Sequence, residues 1–269
     1  MLHRLSVLAC VAALALGCLP AAAETVRIGG TGGAMGMLKR LAKPLAEHAN
    51  VELDVVPSLG SAGGLKAVAD GVIDLSITGR TLTDTDRARG LTQAAMLRTP
   101  YIFATSRSGP VTMAGRDIVG VYANIAPTWR DGRRIKLILR PQSEDDNAVI
   151  GGLFPGMASA MAIARVRTEL PIATTDQDNA DLGEALTGSF AGMTYTQLVS
   201  EQRDLRAIAI DGVVPNIETF ESGRYTHGKI FRIISRQPPG SAAERFLNFI
   251  ATSDGIRAMR EAGCLSVSD

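Results

Sequence analysis

Cysteine is scarce in this chain of 269 residues: Cys10, Cys18 and Cys264 are all it has. Two of them fall in a leading segment that reads as removable, and one remaining thiol cannot form an internal disulfide. Aromatic residues are few as well, 4% against 46% hydrophobic residues overall, with Trp129 the single tryptophan. That balance points to an α/β protein cored by Ala, Val, Leu and Ile. No charge excess is present, since 28 basic residues face 27 acidic ones. A net charge of +1 supplies no field to recruit nucleic acid or a membrane surface. Beyond the first residues no apolar run approaches the ~20 residues a membrane-spanning helix needs.

Chemistry-bearing motifs are equally sparse. Of three histidines only His48 and His227 lie outside the leading segment, neither beside a nucleophile. CxxC, HExxH and DxDxDG patterns are absent, so no catalytic residue, metal or cofactor is expected. The glycine run at residues 29–36 lacks the G-K-[ST] ending of a nucleotide loop. Cys264, next to Leu265, reads as buried and inert.

What is present begins with an export signal. Residues 1–4 carry positive charge, residues 5–19 are almost wholly apolar, and Ala21-Ala22-Ala23 offers a small-residue cleavage site. Residues 1–23 are thus expected to be a cleaved signal peptide, which gives a periplasmic location. A lipid anchor at Cys18 is the lesser alternative, because Ala15 and Leu16 fit a lipobox poorly.

The rest is organised around residues 51–80. VELDVV alternates apolar and acidic residues as a half-buried strand does. PSLGSAGGLKAVADG is a glycine-rich turn opening a helix, and VIDLSITGR is a second strand ending at Thr78-Gly79-Arg80. Ser61 should stand at the helix N-terminus, where unpaired N–H groups favour an oxygen-bearing guest. Upstream, residues 25–30 form a strand. Leu38, Leu41, Ala42 and Leu45 then recur at helical spacing, with Pro44 expected to kink or end that helix. Alternating β and α predicts a doubly wound sheet with its ligand loops at the carboxyl ends of strands.

Farther along, residues 84–90 read as a charged surface helix and residues 101–104 as an apolar strand. Strands are expected at 135–139, 171–173, 190–194 and 229–235, with a helix at 176–186. Trp129 reads as a packing anchor.

IGGTGGAMG (28–36), Gly60-Ser61-Ala62-Gly63-Gly64 and LSITGRTLTD (75–84) together resemble the first lobe of the phosphate-binding proteins that serve bacterial ABC importers. Similar marks follow: the turn Trp129-Arg130-Asp131-Gly132, residues 188–195, LRAIAIDG with Val213-Val214-Pro215, Ser222-Gly223-Arg224-Tyr225, and Ala262-Gly263-Cys264-Leu265. The resemblance covers almost all of the chain after the leading segment. It implies an α/β, two-lobed type II periplasmic binding protein fold, each lobe a doubly wound sheet flanked by helices, the two joined by two crossover strands. The expected limits are 24–101 with 232–269 for lobe 1 and 102–231 for lobe 2. The implied partners are a small-molecule or oxyanion ligand and an ABC permease, with no nucleic acid, for a monomer that is not an enzyme.

Carried over position by position, the resemblance places Thr31, Gly33, Ala34, Ser61, Thr78, Gly79, Arg80 and Arg140 at the ligand. One departure stands out. Where the family has a G-S-G-T helix start, this chain reads Ser143-Glu144-Asp145-Asp146-Asn147. Three carboxylates replace hydroxyl and amide donors, and like charges about 4 Å apart repel by several kcal/mol at an effective dielectric near 20. The acids either cap the following helix, as Asp and Asn do well, or fill the anion site with Arg140 and Arg80 as ion-pair partners. A non-phosphate ligand, apolar or cationic, and a sensor module outside transport both stay open.

Overall fold

The computed structural model describes residues 23–57 and 59–267. The expectations of a signal peptide and of a lipid anchor at Cys18 fall on residues outside these. The chain opens with β1 (Glu24–Gly30), a single 3-10 turn (Gly32–Ala34), α1 (Met35–Ala49), β2 (Val51–Val56), α2 (Gly60–Ala69), β3 (Leu75–Thr78) and α3 (Asp84–Ala88). A long strand, β4 (Leu91–Thr105), carries it into a second region. This comprises β5 (Thr112–Met113), α4 (Gly115–Ala123), β6 (Lys136–Leu137), α5 (Asp146–Leu153), α6 (Met157–Arg165), α7 (Asp176–Ala185), β7 (Ser189–Thr194), α8 (Tyr195–Ser200), β8 (Arg206–Ala207), β9 (Ala209–Ile210) and α9 (Ile217–Glu221). β10 (Gly228–Arg236) returns to the first region, closed by α10 (Ser241–Ala251), α11 (Ser253–Glu261) and β11 (Leu265–Ser266).

Sheet order is β2-β1-β3-β10-β4-β7-β6, with β8 and β11 also on β4 and a separate β5-β9 pair. β1 is parallel to both β2 and β3, and β6 is parallel to β7. β10 runs antiparallel between β3 and β4. Residues 91–100 of β4 pair with β10, whereas Tyr101–Ala104 pair with β7. The two lobes therefore share one strand, and the partner changes at the Pro100–Tyr101 step.

Each lobe has its own core. In the first, Leu38, Leu41 and Leu45 of α1 pack with Val26, Ile28, Leu75 and Ile77 of the parallel strands and with Phe246 and Phe249 of α10. The second concentrates the scarce aromatics: Tyr101, Phe103, Tyr122, Trp129 and Phe190 are all buried there. Phe103 stacks on Phe190 at 4.9 Å, and the Trp129 Nε1–H donates to Gly188 O at 3.3 Å. Trp129 is thus a packing residue, as its isolation in the sequence implied.

Three expectations need correction. Of the two outcomes expected at Pro44, a kink or an end to α1, the end does not occur: α1 runs on to Ala49 and stops at Asn50 in the left-handed region (φ 50°). A proline removes one N–H from the ladder, and here packing of the helix's apolar face outweighs that loss. The strand expected at 101–104 begins ten residues earlier, at Leu91. The strands expected at 135–139 and 171–173 reduce to β6 and a single Leu139–Ile172 bridge. No helix among the described residues is long and apolar enough to cross a membrane.

Candidate functional site

The first-lobe loops leave the carboxyl ends of β1 and β3. Thr31 is buried and its N–H donates to Ile77 O at 2.9 Å, which ties the two loops together. α2 starts at Gly60, so Ser61 lies in its first turn, and its Oγ accepts from Gly79 N–H at 3.2 Å. Gly64 lets α2 sit on the strands, since a Cβ there would lie 2.4 Å from Ser76 Oγ and 2.9 Å from Gly30 Cα. Thr78 is buried and its hydroxyl accepts from Arg80 N–H at 3.3 Å.

Arg80 departs from expectation. Its guanidinium is committed to Asp86, with Nη1 2.8 Å from Oδ2. Asp86 belongs to the capping box of α3, accepting from the Thr83 backbone and hydroxyl. The hydrogen bond from Arg80, against a burial cost and aided by Thr83, holds the Asp86 carboxyl well below the usual carboxylate range. A depressed carboxylate stabilises the fold fully above its unfolded pKa near 4, and that contribution fades as pH falls through it toward the folded value. Asp86→Asn should therefore lower the melting temperature near neutral pH, with the gap to the unaltered chain narrowing between about pH 5 and pH 3. Melting curves across that range check it, and a gap independent of pH would contradict it.

The second lobe brings a denser set of charges. Arg140, after β6, is buried; its Nη1 donates to Ala173 O at 2.7 Å and its Nη2 to Glu144 Oε2 at 3.2 Å. The same Nη2 lies 3.6 Å from Asp176 Oδ1, at the first residue of α7. Nε of Arg140 is buried with no hydrogen-bond partner. Asp146, the first residue of α5, is ion-paired with Lys229 of β10, both almost wholly buried. Tyr101 OH donates to the other Asp146 oxygen at 3.4 Å.

Both lobes meet here directly. Thr194 Oγ1, at the end of β7, donates to Gly33 O at 2.9 Å, and Gln177 Nε2 donates to Gly32 O at 3.1 Å. The Asp176 carboxylate lies over this loop: a Cβ at Gly32 would stand 2.6 Å from its Oδ2 and one at Gly33 3.8 Å from its Oδ1. A Cβ at Gly79 would lie 2.9 Å from Lys229 Cε and 3.1 Å from Asp145 Oδ2, so the third loop closes on the same cluster.

Of the residues expected at the ligand, Gly33, Gly79, Arg140, Glu144, Asp145 and Asp146 converge. Thr31, Ala34, Ser61 and Thr78 support the loops from behind or beside them. Ser143 is exposed. The capping alternative for the acids fails: Asp145 holds the N-cap position of α5 without a side-chain hydrogen bond, and Asp146 turns inward to Lys229. Asn147 Nδ2 instead donates to Pro141 O at 2.7 Å. Sequence reasoning missed Lys229, Asp176, Tyr101 and Thr194. For Lys229 the signal was a cation opening the otherwise largely apolar strand KIFRIIS.

Two cations, Arg140 and Lys229, are thus enclosed with four carboxylates. Burial, then the neighbouring Asp146, pushes the Asp176 carboxyl up. Burial also raises Glu144. Burial pulls Lys229 down, but Asp146 and Asp176 outweigh it and leave its ammonium above the ordinary value. Burial pushes the Cys264 thiol up to about 12, as expected of an inert sulfur. No group of three or more His, Cys, Asp and Glu side chains arranged to hold a metal occurs among the described residues.

Known proteins share this architecture. The fold aligns with a Clostridium perfringens protein described as a substrate-binding protein of a phosphate ABC transporter, with bound phosphate: TM-score 0.73, 16% identity, covering 91% of this chain and 100% of that one. An ABC-type phosphate transport receptor from Vibrio cholerae aligns with TM-score 0.60 at 16% identity, over 91% and 100% of the two chains. A phosphate-binding protein from Stenotrophomonas maltophilia aligns with TM-score 0.64 at 13% identity, over 91% of each. At such identities the likeness establishes the fold. No curated protein matches the sequence. The model of the PBP superfamily domain matches residues 19–254, which is most of the chain. With that match and the two-lobed fold, the chain belongs to the PBP superfamily.

Proposed function

We propose that this protein is the exported solute-binding component of an ABC importer, holding a small ligand between its lobes, and that the ligand is not free phosphate. The lobes are taken as 24–101 with 232–269 and 102–231, and the mature protein as a periplasmic monomer that presents its solute to a membrane permease. One observation carries the ligand reading. Arg140 and Lys229, the two buried cations of the cleft, are already paired within the chain, to Glu144, Asp176 and Asp146.

A phosphate dianion entering this cluster would face Glu144, Asp145, Asp146 and Asp176 at close range, and like charges near 4 Å cost several kcal/mol, about 4 at an effective dielectric of 20. Titration calorimetry of the purified protein with inorganic phosphate at neutral pH should show no micromolar binding. Micromolar binding that disappears in Arg140→Ala would overturn the reading. The excess of carboxylates over cations favours a cationic or polyhydroxylated solute as the second reading, and native mass spectrometry of the gently purified protein would reveal such an adduct.

A further inference from the structure

The oxyanion donors of the cleft are not dismantled. Arg140 stays buried, Gly33 lies against the Asp176 carboxylate, and Lys229 is paired within the same cluster. Beside Glu144, which accepts from Arg140, the Asp176 side chain lies between Arg140 and the first loop. Its Oδ1 lies 3.6 Å from Arg140 Nη2, and Oδ2 sits so close over the first loop that a Cβ at Gly32 would be 2.6 Å away. Guanidinium and backbone amide are the groups that hold a tetrahedral oxyanion, and a carboxylate accepts from both in the same way. Arg140 Nε has no partner although it is buried, which is the state of a fork-shaped donor only partly satisfied by a smaller, planar guest.

Asp176 also does what a bound solute does in a two-lobed protein. Its backbone belongs to α7 of the second region, and its carboxylate packs on Gly32 and Gly33 of the first. Thr194 and Gln177 fasten the same loop beside it. On the far side of the loop, Arg40 of α1 donates to Ser200 O at 2.9 Å and to Val199 O at 2.8 Å. Protein groups from both regions thus meet around Asp176.

We propose that Asp176 is the resident anion of the cleft: its carboxylate occupies an oxyanion position, keeps the lobes together without solute, and excludes phosphate-like ligands. This rests on the non-phosphate reading above and singles out one of its four carboxylates as the one that spans the lobes. In the Asp176→Asn variant the charge is removed at nearly constant shape, so a tetrahedral oxyanion should regain access to Arg140 and the first loop.

The test is calorimetric titration with inorganic phosphate, on the unaltered chain and on Asp176→Asn after circular dichroism has confirmed the variant's fold. Phosphate affinity should rise by about 100-fold or more in the variant, the scale of one like-charge repulsion removed. Equal affinity in the two proteins would overturn the inference while leaving the non-phosphate reading intact. Tight binding by the unaltered chain would instead remove that reading. Small-angle scattering of the unaltered chain supplies an arm independent of the variant. The radius of gyration in phosphate-free buffer should be that of the closed form and unchanged by 10 mM-scale additions of phosphate, roughly the top of the range for weak anion contacts. An open form that contracts on adding phosphate would overturn the inference.

Discussion

Lys229→Met should lower the unfolding free energy by about 3–5 kcal/mol, the cost of leaving one member of a buried ion pair without its partner. Lys229 and Asp146 are each only 2% exposed, so neither can turn to water when the other is removed. Methionine keeps the length and most of the volume of the lysine stem, which isolates the charge from the packing. Tyr101 OH, at 3.4 Å, can donate one hydrogen bond to Asp146 but carries no positive charge. Urea unfolding should show a lower midpoint with an unchanged slope. Adding Asp146→Leu to Lys229→Met should recover much of the loss, because an apolar pair of similar size avoids the desolvation cost altogether. A single variant as stable as the unaltered chain would mean that water reaches the pair.

Gly30→Ala is the second large effect. Gly30 ends β1 with φ +142° in a conformation that residues bearing a Cβ rarely adopt, and an added Cβ would stand 1.9 Å from Ile77 O. That carbonyl belongs to the strand backbone and already accepts the Thr31 N–H, so it cannot yield without parting β1 from β3. The loss should exceed about 4 kcal/mol, the level reserved for backbone collisions and core defects. In a protein of this size it corresponds to a melting temperature lower by roughly 10 °C or more. Gly90→Ala is the control: φ is +78° there, but nothing lies within 4 Å, and only the left-handed cost of about 1–2 kcal/mol applies. Equal melting temperatures for the two variants would contradict the steric account.

The parallel strands β1, β2 and β3 and the helix between them were legible because VELDVV and the leucines of α1 carry clean periods of two and three to four residues. The first ten residues of β4 were not, since LTQAAMLRTP has no alternation and ends in proline. β10 holds that segment in place along its whole length, a tertiary cause that leaves no local mark. In the cleft, Arg140 and the acidic loop could be found because the resemblance aligned them. Lys229 and Asp176 could not: one opens a strand, the other a capped helix, and each position has an ordinary structural explanation. The pairing of Arg80 was not foreseen although RTLTDTD contains the capping box whose aspartate binds it, six residues on.

β10 lies between β3 and β4, and α10 and α11 lend Phe246, Phe249, Ile250 and Met259 to the core begun by β1 and α1. During synthesis the opening segment must therefore wait, its apolar face unsheltered, until the final elements emerge from the ribosome. Contacts so distant along the polymer close late and slowly. A nascent chain of this design stays unfinished until its last stretch arrives.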